Sequence, residues 1–414
     1  MPPGLQALPR PAPKRLAVRV SKPVRRHIRK GHPWVYDEAI TSVKGADGAA
    51  PGDLAVVFDD DRSFLAIGLW DPNSPIRIRI LHTGKPLTIS RAFWQTRIEE
   101  ALDRRDPLAE DPATTGWRVI HGEDDRLPGL VVDRYDTTLV VKLYTAAWIP
   151  HLADVVPELQ AALSPERIVV RLARTVQRGE THGLADGDTI VGHAAGGPVE
   201  FLENGLRFEA DVVQGQKTGH FLDQRDNRAR VADLAQSTDV LDVFSCTGGF
   251  SVHAAAGGAR SVHSIDMAPA AIDTALRNMA RNGDNESVAA CGHRTTVGDA
   301  FEVMADLAAA GEQYDIVVVD PPSFASKQAD IGRAVRAYGH LTRLAVALIR
   351  PGGVLVQASC SNRIGADEFF TIIHDAARLT SRRLEEIERT GHAIDHPIGF
   401  EQGSYLKALF TQVN

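Results

Sequence analysis

From residue 206 onward, apolar residues come in short strand-length runs separated by stretches of helical spacing. The strand-like runs end at Val243, Ile265, Val297, Asp320 and Ser359, and the clearest helical stretches are 268–282 and 331–349. This alternation predicts a doubly wound α/β domain with a mostly parallel sheet and ligands at the carboxyl ends of its strands. A helix at 366–377 and two further runs, 384–390 and 405–413, predict a closing antiparallel pair. The first two hundred residues read differently. Runs at 16–20, 54–58, 64–69 and 76–81, broken by Gly, Pro and Asp, predict a small β-barrel or sandwich over 14–83. A helical connector over 90–108 leads to strands at 130–132, 138–143 and 167–172 around a helix at 150–163, a small α+β domain within 84–200. The proline-rich start, 1–13, is expected to be disordered. The fourth segment is 201–414.

Composition narrows the class. The 414 residues allow two or three domains, and a hydrophobic fraction of 43% is that of a protein with real cores. No apolar run approaches the ~18 residues of a membrane helix, and the start carries no hydrophobic signal region, so a soluble, cytoplasmic protein without a membrane partner is expected. Three cysteines, Cys246, Cys291 and Cys360, show no C-x-x-C pairing, which predicts free thiols and no metal site. The net charge of −7 is unevenly spread: residues 10–36 hold nine Lys or Arg and no Asp or Glu. Local charge governs phosphate contact, so this segment is either an RNA-facing patch or a solvated tail.

The run Asp242-Val243-Phe244-Ser245-Cys246-Thr247-Gly248-Gly249-Phe250 joins a strand to a helix through small residues. A glycine pair there admits a ligand close to the backbone. The next strand ends in Asp266, about 20 residues further on, where α/β folds hold a ribose diol. The third glycine of G-x-G-x-x-G is absent, as is the P-loop pattern G-x-x-x-x-G-K-[ST]. A nucleoside ligand without phosphates, such as S-adenosylmethionine, fits better, with Asp299 after the third strand placed for its adenine.

The fourth strand ends in Asp320-Pro321-Pro322-Ser323-Phe324. Two prolines fix the backbone there, and an acid with an aromatic ring can grip the edge and face of a planar base. The fifth strand ends in Ser359-Cys360-Ser361, which puts a thiol at the same sheet edge as Asp320. A thiolate adding to carbon 6 of a pyrimidine makes carbon 5 nucleophilic. Asp320-Pro321-Pro322-Ser323-Phe324 also resembles the platform of enzymes that methylate ring or exocyclic nitrogens, guanine methyltransferases among them, which need no such thiol, so a base N-methyltransferase is the alternative. A non-catalytic RNA-binding protein is a third reading.

These residues resemble class I S-adenosylmethionine-dependent methyltransferases, and the whole chain is similar to the bacterial large-subunit (23S) rRNA cytosine-5 methyltransferases with an N-terminal PUA domain. The resemblance covers about residues 14 to 412. It rests on His32-Pro33-Trp34-Val35-Tyr36, Pro51-Gly52-Asp53 and Pro75-Ile76-Arg77-Ile78-Arg79, and on the stretch from His121 to Tyr135. Its most specific part is Gly215-Gln216-Lys217-Thr218-Gly219-His220-Phe221-Leu222-Asp223-Gln224-Arg225-Asp226-Asn227-Arg228. The resemblance implies cofactor contacts from Gln216, Lys217, Thr218, Phe221, Asp242, Phe244, Ser245, Gly248, Asp266, Met267, Asp299, Ala300, Asp320 and Pro322. It implies substrate contacts from Arg225, Ser323 and Phe324, catalysis by Cys360 and Asp320, and rRNA as partner, with a homodimer left open. Asp395-His396-Pro397 resembles the family's closing loop.

Overall fold

The computed structural model describes residues 4–59, 61–325 and 327–414. The chain forms two compact units. The first comprises Met1–Leu202, Ala210–Leu222 and Ile394–Glu401, and the second Glu203–Glu209, Asp223–Ala393 and Gln402–Asn414.

In the first unit, strands Leu16–Val20, Trp34–Tyr36, Ile40–Lys44, Leu54–Phe58, Phe64–Trp70 and Ile76–Thr83 form one six-stranded sheet. Its inward positions (Leu16, Val18, Val35, Val57, Ile78) form an apolar core. Gly52 in the Pro51-Gly52-Asp53 turn has φ of +95°, and a Cβ there would lie 2.7 Å from the Ala147 carbonyl. Only glycine fits that turn. A second sheet of five strands spans Gly116–His121 to Thr189–Val191 and shares a core with helices Arg91–Asp103 and Leu152–Leu163.

Two segments differ from expectation. Residues 4–13, read as part of a disordered tail, include Leu8, buried at 4% exposure, and Ala12, whose N–H donates to Asp53 at 2.6 Å. One apolar side chain with a core to enter, plus a buried acceptor, is enough to pin an otherwise polar tail. The basic segment contains a helix, Lys22–Arg29, anchored by Ile28, with Lys22, Arg26, Arg29 and Lys30 exposed.

The second unit is built on a seven-stranded sheet. Its strands are β1 (Asp239–Val243), β2 (Ser261–Asp266), β3 (Gly292–Val297), β4 (Tyr314–Val319), β5 (Ile349–Ser359), β6 (Leu384–Thr390) and β7 (Lys407–Val413). Their order is β3-β2-β1-β4-β5-β7-β6, and β7 alone runs against its neighbours. β1 and β4, buried along most of their length and rich in Val, Leu and Ile, lie mid-sheet, as strands covered on both faces must. The chain order reverses at β1 and β4, so the crevice for a ligand opens beyond their carboxyl ends.

Candidate active site

The loop after β1 is strained in the way ligand loops are. Phe244 and Cys246, neither glycine, sit at φ of +64° and +48°, and Gly248 follows at +77°. A Cβ at Gly248 would lie 2.8 Å from the Ala275 side chain, so this position also needs glycine. The surrounding structure holds such backbone in place at a cost, and functional loops are where that occurs.

Around this loop, polar atoms are left without partners. Asp242 is buried at 1% exposure; its Oδ2 accepts from the Ser251 hydroxyl at 2.6 Å, while its Oδ1 has no partner. Burial pushes its carboxyl up to about 7. The buried Ser245 hydroxyl likewise has no partner. Buried polar atoms in proteins are nearly always hydrogen-bonded, so two orphans three residues apart, at the end of β1 and in the loop after it, fit the polar end of a bound ligand.

The acids at the next strand tips are also in use structurally. Asp266 accepts the Cys246 N–H on Oδ2 and the Ala268 N–H on Oδ1, both at 2.9 Å, which ties the loop to the end of β2. Each oxygen keeps a second lone pair for a ligand hydroxyl. Met267 beside it is 71% exposed. Asp299 caps the helix Ala300–Ala309, its Oδ1 accepting from Phe301 at 2.9 Å and Glu302 at 3.3 Å. Ala300 is buried behind that cap.

At the fourth tip, the Asp320 N–H reaches the Val243 carbonyl at 3.4 Å, linking the ends of β4 and β1. Pro322 and Ser323 are exposed. Phe324, expected to face the reacting centre, is half-buried with its ring edge-on to Tyr338, centroids 5.1 Å apart. At the fifth tip, the Ser359 hydroxyl bonds the Tyr338 hydroxyl at 2.8 Å and accepts the Ser361 N–H at 3.2 Å. Cys360 between them is half-buried and in no disulfide. Burial pushes Tyr338 up to about 12, and the charges of Cys360 and Asp320 add to the effect. The adjacent parallel strands β4 and β5, with Val319 opposite Gln357, bring these two tips together. Burial pushes the Cys246 thiol up to about 11, so it is a poor nucleophile. Tyr338 was missed in the sequence; a lone tyrosine in a helix carries no local sign of such a role.

Arg225 is buried at 2% exposure at the start of the helix Arg225–Leu234, paired with Asp226 at 3.2 Å. Residues 216–221 belong to the first unit. Gln216 is exposed. The Lys217 carbonyl accepts from Lys142 at 2.8 Å, and its ammonium lies 4.1 Å from the Phe221 ring centroid. Thr218 is buried, its hydroxyl donating to Asp133 at 2.5 Å and bonded to Tyr135 at 3.1 Å. In the same unit, Asp395 accepts the Arg118 N–H at 2.8 Å, and its carbonyl accepts from the buried Arg105 at 2.9 Å. Trp34 packs edge-on to Phe400 at 5.2 Å and to Tyr36 at 6.4 Å, near the basic helix in sequence.

The sheet order, the open loop after β1 and the acid at the tip of β2 define a class I methyltransferase fold. The chain belongs to the S-adenosylmethionine-dependent methyltransferase family, whose pattern matches residues 181–411, and a PUA-like domain matches residues 18–83. Its cofactor is S-adenosylmethionine. It is 47% identical over 406 residues to a ribosomal RNA large subunit methyltransferase of Deinococcus radiodurans, covering 97% of this chain and 98% of that one. It is 35% identical over 402 residues to ribosomal RNA large subunit methyltransferase I of Shewanella frigidimarina, covering 96% and 100%. A solved structure from Streptococcus mutans, named as a SAM-dependent methyltransferase, shares the fold with a TM-score of 0.80 at 19% identity, over 96% of this chain and 99% of that one.

Proposed function

We propose that this protein methylates carbon 5 of a cytosine in large-subunit rRNA, with Cys360 as the nucleophile. The observation that carries the reading is the half-buried Cys360 at the tip of β5, adjacent to the tip of β4 that carries Asp320. The names of the Deinococcus and Shewanella relatives support rRNA as the substrate, and a cytoplasmic setting goes with it.

In this reading, bound S-adenosylmethionine supplies an electrophilic methyl group. Asp242, Ser245 and Gly248 hold its amino-acid end, Asp266 its ribose and Asp299 its adenine. The Cys360 thiolate adds to carbon 6, and the electron pair of the 5,6 double bond becomes available at carbon 5. Asp320 holds the base edge near N3 throughout. After carbon 5 is methylated, loss of its proton re-forms the double bond, and the sulfur–carbon 6 bond breaks to return the thiolate.

The exposed cations of the Lys22–Arg29 helix and the Trp34–Tyr36 aromatics suit a phosphate backbone and unstacked bases. The test is mass mapping of methylated nucleotides in rRNA from cells with and without the gene, repeated with Cys360→Ala. Loss of one 5-methylcytosine in both strains is expected. Full methylation by Cys360→Ala would favour methylation of a nitrogen instead.

A further inference from the structure

In the antiparallel register of β5 and β7, Lys407 lies opposite Ser359, one residue from Cys360. It is a buried lysine, 4% exposed. Its ammonium donates to the main-chain carbonyls of Ser361, Ile364 (2.6 Å) and Tyr405 (3.2 Å). Three donors thus meet three acceptors, two of them in the turn that leaves Cys360. These carbonyls satisfy the hydrogen bonds without cancelling the charge. Burial pushes the ammonium down to about 8; Cys360 is the foremost charge acting the other way, followed by the exposed Glu368. Lysine is almost never fully buried unless it is paired. The partner this one has at hand is the thiolate form of Cys360.

We propose that Lys407 is a positioning residue for the nucleophile: its buried ammonium, held by the carbonyls of the turn after Cys360, stabilises the Cys360 thiolate and fixes the turn that carries it. This rests on the reading of Cys360 as the nucleophile. On activation the Cys360 thiol gives its proton to water, and the thiolate charge is matched by the ammonium. Lys407 does not take that proton, because it is already the charged form and all three of its N–H groups are engaged. Tyr338 holds the same tip from the other side through Ser359. Cys360 is therefore braced from a helix and from a strand, and each brace arrives from a distant part of the sequence.

The test is iodoacetamide alkylation of the full-length protein as a function of pH, read by mass spectrometry at the Cys360 peptide so that Cys246 and Cys291 do not interfere. In the wild type, half-maximal alkylation should fall below the free-thiol value of about 8.5. In Lys407→Met it should move up by roughly one unit, slowing alkylation at neutral pH roughly tenfold. Lys407→Arg should keep the wild-type profile, and both variants should bind S-adenosylmethionine by calorimetry. A lysine that only braced the loop would change stability and leave the alkylation profile in place. A wild-type profile at or above the free-thiol value, or an unmoved profile in Lys407→Met, would overturn the proposal. If Lys407→Met fails to bind cofactor, the wild-type profile and Lys407→Arg still decide. Turnover by Cys360→Ala would sink the nucleophile reading separately, since alkylation reports on the thiol whether or not it is used.

Discussion

The two edges of the seven-stranded sheet both carry carboxylates and are chemically opposite. At the amino edge two clusters of charges answer one another. Asp239 accepts from Arg260 at 2.9 Å, Arg350 at 3.0 Å and Ser261 at 2.9 Å, and Asp315 pairs with the same two arginines. Arg294 bridges Glu312, Tyr314 and His263, and it holds the Glu312 carboxyl down to about 2. A cavity of about 230 Å³ lies there, lined by Asp239, His263, Arg294, Glu312 and Tyr314. It has room, yet its polar atoms are already committed to one another. At the carboxyl edge, Asp242 and Ser245 keep unpartnered atoms and two non-glycine residues sit in left-handed backbone. A ligand site is marked by what is left unsatisfied, and volume alone is a poor guide to it.

Four substitutions sharpen this contrast. The largest effect belongs to Cys360→Ala, which should abolish turnover while calorimetry finds cofactor affinity near normal. Asp266→Ala removes the proposed ribose acceptor and the tether of the loop. It should weaken S-adenosylmethionine binding by ~1.5–3 kcal/mol, the size of a lost charge-assisted hydrogen bond. Asp242→Asn should act in two directions. The wild-type carboxyl sits near 7 when folded because of burial, against about 3.9 when unfolded, so the folded state binds the extra proton between those values. Stability is then greatest at the acid end and falls as pH rises from about 4 to about 7. The neutral amide removes that fall, so thermal melts above neutrality should show Asp242→Asn more stable than wild type in the absence of cofactor, while its cofactor affinity drops. The smallest effect is at the other edge. Arg294 is half exposed, so Arg294→Ala should cost at most about 1 kcal/mol in denaturant melts and leave cofactor binding unchanged. A large loss of affinity there would break the distinction between the two edges.

Much of this was legible in the chain. The strands of the second unit end within a residue of the expected positions; for the central strands β1, β2, β4 and β5 the reason is that a run buried on both faces has a sharp polar boundary. The closing antiparallel pair is present as expected. Asp266 sits at its strand tip and tethers the loop, and Asp299 carries the helix cap that its position before a helix suggests. Other features had no local signature. The Lys22–Arg29 helix was masked by its charge, its core contact being little more than Ile28. Thr218 is spoken for by Asp133, 85 residues away. Phe324 turns out to pack on Tyr338.

The residues on their own carried the fold class, the strand tips and the small-residue loop, all consequences of periodicity and of backbone freedom at glycine. They also carried the presence of a thiol at the fifth tip. What they could not carry is which polar atoms are spent on the protein itself and which remain for a ligand. The orphaned oxygen of Asp242, the saturated amino edge and the ammonium of Lys407 near Cys360 are sums over neighbours drawn from distant stretches of chain. Desolvation and hydrogen-bond satisfaction depend on three-dimensional surroundings, so they come into being only when the chain folds.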